Sequence, residues 1–283
     1  LMMVFTNGDG PGLVLVSQTI PICDTHIGKE NIMADIIDYQ IFGDDMQLVE
    51  IELDPGEGVR AEAGAMTYMD AGVQMQTGTG GGMFQGFKRM LTGESFFITT
   101  FMNSARTKQR VAFGAPYPGK IIPINLSQHG GRFLCQKDSF VCAARGIEIE
   151  IAFTKKIGAG LFGGEGFILQ RLRGDGLAFI HAGGTLIEKR LQAGEKLKVD
   201  TGCLAAFEET VDYNVEFVGG FKNALFGGEG LFMATVTGPG LVYLQSLPLS
   251  RLADRIVAAS RVGASREESR GLGGILGNII SGD

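Results

Sequence analysis

Leu161-Phe162-Gly163-Gly164-Glu165-Gly166 recurs residue for residue as Leu225-Phe226-Gly227-Gly228-Glu229-Gly230, and a looser copy, Leu91-Thr92-Gly93-Glu94-Ser95, stands earlier in the chain. With the three Gly-Glu pairs superposed, the next residues align without gaps: Phe96-Phe97-Ile98, Phe167-Ile168-Leu169 and Leu231-Phe232-Met233. Each copy then meets a turn, at Asn103-Ser104, Gly174-Asp175-Gly176 and Gly238-Pro239-Gly240. Upstream, Val73-Gln74-Met75-Gln76-Thr77, Ile147-Glu148-Ile149-Glu150-Ile151 and Val211-Asp212-Tyr213-Asn214-Val215 alternate apolar and polar residues. That period of two is the pattern of a half-buried strand. Further up, Gly56-Glu57 and Gly64 match Gly194-Glu195 and Gly202 at the same spacing, while the middle copy has Gly130 and Asp138 there. The first copy carries extra residues within Gly78-Thr79-Gly80-Gly81-Gly82.

A phrase repeated at offsets of 64 to 74 residues marks a repeated folding unit. Each copy reads as strand, Gly turn, strand, alternating strand, Gly-rich loop, buried strand, turn, strand. Such a unit alone buries too little surface to be stable, but three fused copies share a core and cover one another's edges. The expected architecture is therefore all-β: three tandem β-repeats with pseudo-threefold symmetry, at 33–118, 119–184 and 185–248. Residues 1–32 lack periodicity and are expected to form a loosely packed appendage, with Met33 a plausible natural start. Pro248 closes the last strand, Ser250 can cap a short C-terminal helix, and Leu252, Ile256 and Val257 fall on one face of it. Residues 249–283 comprise that helix and a Gly-rich apolar tail.

Composition agrees with this picture. The 283 residues include 44 Gly, roughly twice the usual share of about 7%. Hydrophobic residues make up 45% and charged ones 20%, as in a folded globular chain. The net charge of −6, without a Lys/Arg-rich run, argues against nucleic acid as a partner. The four Cys (23, 135, 142 and 203) form no C-x-x-C pair and are expected as reduced, buried apolar residues. No apolar run approaches the roughly 20 residues of a membrane helix, and Gly12-Leu13-Val14-Leu15-Val16 lacks the basic start of a signal peptide. The expected location is cytoplasmic, or peripheral to a membrane.

Leu53-Asp54-Pro55-Gly56-Glu57, Ala61-Glu62-Ala63-Gly64-Ala65-Met66-Thr67-Tyr68-Met69 and the Leu-Phe-Gly-Gly-Glu-Gly turns together resemble a family of unknown function. In eukaryotes it is named for a mitochondrial biogenesis protein, the "altered inheritance of mitochondria" type. The resemblance runs from about Met33 to Ala253. It implies a fold similar to the tryptophan RNA-binding attenuator protein, a short double-stranded β-helix present three times per chain, and a link to inner-membrane organisation. It implies no catalytic residues.

The residues offer little chemistry of their own. Gly158, Gly160 and Gly163 form a G-x-G-x-x-G, but a strand follows where a dinucleotide site needs a helix. His26, His129 and His181 share no metal-ligand spacing, and there is no G-x-S-x-G. Met66, Met69 and Met75 read as core filling. No cofactor and no metal is expected.

Glu94, Glu165 and Glu229, with Gly93, Gly164 and Gly228, are the polar positions that symmetry brings to equivalent places. Two readings stay open: each Glu caps its own turn, or three carboxylates line a shared polar site balanced by Lys88, Arg89 or Lys222. In the tail, Leu272, Ile275, Leu276, Ile279 and Ile280 follow the spacing of one helical face, yet four Gly interrupt the same stretch. Such a segment orders only against an apolar surface: a neighbouring subunit, a protein partner, a membrane surface or its own β-body. The function expected is a non-enzymatic scaffold forming a homo-oligomer. The alternative is a small-ligand-binding protein or unrecognised enzyme using the Gly-Glu loops.

Overall fold

The computed structural model describes residues 33–76, 98–155, 167–217 and 232–260. The 1–32 segment, the three Gly-Glu loops and the tail beyond residue 260 lie outside them. The described residues are mostly strand, and residues 249–260 form the one α-helix among them.

After an opening strand, β1 (Asp38–Phe42), the strands fall into three successive sets of six. The first set is β2 (Leu48–Leu53), β3 (Gly58–Glu62), β4 (Met66–Met69), β5 (Val73–Gln76), β6 (Ile98–Asn103) and β7 (Gln109–Gly114). The second is β8 (Gly119–Asn125), β9 (Arg132–Gln136), β10 (Phe140–Ala144), β11 (Glu148–Lys155), β12 (Phe167–Arg173) and β13 (Leu177–Gly183). The third is β14 (Leu186–Leu191), β15 (Lys196–Asp200), β16 (Leu204–Glu208), β17 (Asp212–Phe217), β18 (Phe232–Thr237) and β19 (Gly240–Gln245). In every set the first strand pairs with the sixth and the sixth with the third. The second pairs with the fifth and the fifth with the fourth. All of these pairs are antiparallel.

Each set contains one strand more than its sequence pattern suggests. The stretch after the Gly turn, expected as one strand, is broken by a 3-10 turn at Ala63–Ala65, Lys137–Ser139 or Thr201–Cys203. The chain turns this corner and changes sheets, so that β3 lies in one sheet and β4 in another. In the third set Asp200 supports the corner, its Oδ1 accepting a hydrogen bond from Gly202 N at 2.9 Å. A period-two pattern continues through such a corner, which is why the break is silent in the sequence.

Sheets run on from set to set. β3 pairs antiparallel with β10, and β9 with β16, producing two six-stranded sheets, β5-β6-β3-β10-β13-β8 and β11-β12-β9-β16-β19-β14. A four-stranded sheet, β1-β2-β7-β4, and a three-stranded one, β15-β18-β17, complete the fold. Two apolar cores lie between the layers. One holds Ile51, Phe101, Phe113, Phe133, Phe179 and their neighbours; the other holds Phe167, Leu169, Phe207 and Val236. Alternation is strict along β2, where Val49, Ile51 and Leu53 are buried between half-buried partners.

The helix begins at residue 249, where Leu252 N donates to Pro248 O at 3.2 Å. Of its predicted apolar face, Leu252 is half-buried but Ile256 and Val257 are exposed. The methionines also depart from expectation. Met66 is half-buried, while Met69 and Met75 are exposed on the short strands β4 and β5, so they do not fill a core.

Candidate functional site

All the polar loop candidates, Gly93, Glu94, Gly164, Glu165, Gly228, Glu229, Lys88, Arg89 and Lys222, lie outside the described residues, as do Leu272, Ile275, Leu276, Ile279 and Ile280. The described strands still locate the loops in the chain. Each joins the fourth strand of a set to the fifth: β5 to β6, β11 to β12, β17 to β18.

The other Gly-Glu pairs are described, and there the role of the carboxylate is plain. Gly56 and Gly194 have positive φ (86° and 78°), the left-handed conformation that glycine adopts without a Cβ penalty. Glu57 Oε2 accepts from Asp54 N at 2.8 Å, and Glu195 Oε2 accepts from Gln192 N at 2.9 Å. Both turns then dock on the turn between the fifth and sixth strands through the same backbone bonds. Gly56 N donates to Asn103 O and Asn103 N to Glu57 O; Gly194 N donates to Gly238 O and Gly238 N to Glu195 O. Partial burial pushes the Glu57 carboxyl up. These Gly-Glu pairs are turn machinery.

Polar side chains gather instead at the junctions between sets. At the first, Arg60 Nη1 donates to Ile147 O at 2.8 Å. Arg145 grips Asp35 through Nε (2.9 Å) and Nη2 (3.1 Å), and Asp35 Oδ2 also accepts from Gly58 N. At the second junction, Glu209 takes Arg171 Nε at 2.6 Å and Arg132 Nη1 at 3.2 Å. Beside it Glu208 contacts His129 Nδ1 at 2.8 Å and accepts from Leu241 N at 2.9 Å. Burial opposes the charge on Glu208, but the bonds from His129 and Leu241 N–H hold its carboxyl below the usual range.

The sixth strands carry a second contrast. Phe179 lies opposite Cys142 and Tyr243 opposite Ala206, so His181 and Gln245, two residues further on, hold the same place in their sets. Gln245 is a buried crosslink: its Oε1 accepts from Gly183 N at 2.8 Å, and its Nε2 donates to Gly202 O at 2.8 Å and Gln136 Oε1 at 3.3 Å. His181 is fully buried with its ring edge-on to Tyr117, 4.5 Å between centroids. Burial pushes its pKa down to about 4, partly offset by the Tyr117 backbone. It is a neutral core imidazole.

Two thiols are equally inert, while Cys203, expected buried, is half-buried and Cys23 lies outside the described residues. Cys135 and Cys142 are buried, which pushes Cys135 up to about 12 and Cys142 well above its usual value. Among the described residues no group of three or more His, Cys, Asp or Glu could hold a metal ion. No described helix is long and apolar enough to cross a membrane.

What the geometry does display is unequal strand edges. The third strands β10 (Phe140–Ala144) and β16 (Leu204–Glu208) are buried along almost their whole length, because β3 and β9 cover them. β4 ends its sheet and exposes Tyr68 (43%) and Met69 (36%). β15 likewise ends its own sheet, with Lys196 and Lys198 exposed. In the sequence Met69 read as core filling and Tyr68 only as part of the family resemblance, and Lys196 and Lys198 did not stand out. The signal is visible once the third strands are aligned: Met66-Thr67-Tyr68-Met69-Asp70 is far more polar than Phe140-Val141-Cys142-Ala143-Ala144 or Leu204-Ala205-Ala206-Phe207-Glu208.

Residues 39–247 match the family described as mitochondrial biogenesis AIM24. An uncharacterized protein of Streptococcus pyogenes serotype M6 is 30% identical over 238 residues, spanning 81% of this chain and 93% of that protein. A Streptococcus pyogenes protein solved by X-ray crystallography as a structural-genomics target is similar in fold. Its TM-score is 0.66 at 25% identity, covering 79% of this chain and 99% of that one.

Proposed function

This chain belongs to the mitochondrial biogenesis AIM24 family, and from that premise we propose that it is a non-enzymatic scaffold that assembles with further copies of itself. The observation that carries the reading is the pair of open edges: sheets continue from set to set inside the chain, then stop at β4, where Tyr68 and Met69 are exposed, and at β15, where Lys196 and Lys198 are exposed. An exposed strand edge is a template for another chain; edge lysines such as Lys196 and Lys198 blunt it, so the apolar β4 edge is the stronger template.

The same topology supports a finer reading of the architecture. Each set of six strands is read as one copy of a short double-stranded β-helix, two three-stranded antiparallel layers joined at the 3-10 corner. The pseudo-threefold relation is carried by the strand order of all three sets and by two of three possible junctions. The repeats at 33–118, 119–184 and 185–248 form the platform. The segment 249–283 is read as the part that meets a protein or membrane surface, a reading the exposed Ile256 and Val257 of the helix support.

Sedimentation at micromolar concentration tests the assembly reading. A species well above the 30.2 kDa of one chain is expected, and a single 30.2 kDa species removes it. The loops at Gly93, Gly164 and Gly228 keep a second reading in view, because each joins the fourth and fifth strands of its set. A melting-temperature screen separates the two, since a ligand preferring the folded state must raise the midpoint.

A further inference from the structure

The turns between the fifth and sixth strands hold equivalent places in the three sets but differ in chemistry. They carry Asn103-Ser104 in the first set, Gly174-Asp175-Gly176 in the second and Gly238-Pro239-Gly240 in the third. Asn103 is buried and its side chain is fixed: Nδ2 donates to Leu53 O and Thr107 O, both at 2.9 Å, and Oδ1 accepts from Ala105 N at 2.9 Å. Asp175 is exposed. Among the described residues its carboxylate has one partner, Ala34 N, which donates to Oδ1 at 2.8 Å.

Ala34 belongs to a strap, residues 33–37, that lies across the first junction. Asp35 N donates to Arg145 O, the Asp35 carboxylate accepts from Arg145 and from Gly58 N, and Ile37 is buried in the core that holds Ile51 and Phe101. The strap needs both members of the Asp-Gly pair. Asp175 receives Ala34 N, and a Cβ at position 176 would lie 2.5 Å from Ala34 Cβ, far inside contact distance. A larger residue at 176 would therefore displace the strap. The fold thus keeps an Asp-Gly pair in an exposed turn. In that dipeptide no Cβ on the second residue hinders its backbone N from approaching the aspartyl side chain.

We propose that Asp175-Gly176 is a site of spontaneous isoaspartate formation, and that the strap restrains it. Gly176 N attacks Cγ of the protonated Asp175 carboxyl. The N–Cγ bond forms, the Cγ–O bond breaks, and the hydroxyl leaves as water with the amide proton. The succinimide so formed takes up one water. Opening at Cγ returns aspartate, whereas opening at the α-carbonyl gives isoaspartate, in which the main chain runs through Cβ and Cγ. No other reactant enters, and the mass of the chain is unchanged. While Ala34 N holds Oδ1, the carboxyl is fixed to the strap, and attack requires it to leave. The product has one more main-chain carbon between positions 175 and 176 and a displaced carboxylate. The strap then loses its bond at Ala34 and its seat over Gly176, so modification and strap release promote each other.

The test is ageing of the full chain near neutral pH at body temperature, followed by mapping with an Asp-specific endopeptidase that does not cut before isoaspartate. Wild-type protein should accumulate isoaspartate at 175 more slowly than the same chain unfolded in urea. Asp35→Ala removes the strap's bonds to Arg145 and Gly58 and should raise the folded-state rate about fivefold, the factor that one net hydrogen bond is worth. Asp35→Asn, which keeps the side-chain shape, serves where Asp35→Ala does not fold. In the aged fraction the amide protons of Asp35 and Gly58 should exchange faster than in fresh protein. No isoaspartate at 175 in the folded chain, under conditions where the unfolded chain forms it, overturns the site. Equal rates in the wild type and the strap variants overturn the restraint, and unchanged exchange at Asp35 and Gly58 overturns the release.

Discussion

β4 and β16 hold the same place in the pairing order of the first and third sets, in two settings. Each follows a 3-10 corner, each pairs with the sixth strand of its set, and each carries its bulge at the same place. β16 is covered on its other side by β9, and Phe207 is fully buried; β4 has no such neighbour among the described residues, and its counterpart residue, Met69, is exposed. The contrast teaches that burial here is set by the neighbouring set as much as by the strand itself. Each added set converts the preceding open edge into core.

The strongest way to break this comparison is to truncate the two counterpart residues. Phe207→Ala should cost about 3 to 5 kcal/mol by leaving a cavity in a closed core. Met69→Ala, measured by denaturant unfolding in dilute protein, should cost less than about 1 kcal/mol. Similar losses from both would mean that β4 is as deeply packed as β16.

A second test sharpens the contrast between His181 and Gln245, which share a position but not a chemistry. The unfolded imidazole titrates near 6.5 and the buried one near 4. Between those values the unfolded chain takes up a proton that the fold refuses, so stability is full above about pH 6.5 and falls as the pH drops toward 4. The loss attributable to this group is about 3 kcal/mol. His181→Gln, which places the third set's residue in the second, should flatten the decline by about one proton's worth. An unchanged slope of unfolding free energy against pH would show that His181 is not the group responsible.

The smallest expected effect concerns the turns. Glu57→Ala and Glu195→Ala each remove one carboxylate–backbone bond from equivalent turns and should each cost about 1 kcal/mol. Equal shifts in thermal midpoint would support equivalent packing of the first and third sets at this point. A large difference would locate further, unequal interactions around one of them.

Much of the strand pattern was legible before any coordinates. The alternation of Val73–Gln76 and of Asp212–Val215, the Gly-Glu turns at 56–57 and 194–195, and the helix after Pro248 follow from local rules of period and turn chemistry, whereas Ser250, read as the helix cap, lies within the helix. Met69 and Met75 misled, because side-chain type alone does not say whether a strand has a neighbour. The Gly-Glu pairs at 93–94, 164–165 and 228–229 left two readings open, a turn cap or a shared polar site, and lie outside the described residues; at 56–57 and 194–195 the carboxylate serves its own turn. The junction residues Arg145, Glu208 and Glu209, and the crosslinking Gln245, carried no motif, since their partners lie 33 to 110 residues away.

By itself the sequence determined that this is an all-β chain: the signals responsible, alternation and glycine at positive-φ turns, act between residues only a few positions apart. Only the tertiary structure decided where one strand becomes two at the 3-10 corners, which sheets run from set to set, and that β4 and β15 are left as open edges. Those outcomes depend on pairings between residues tens of positions apart, where the hydrogen bonds are made by backbone groups that every residue carries. Such pairing leaves no residue-specific mark along the chain, and it becomes visible only when the strands stand side by side.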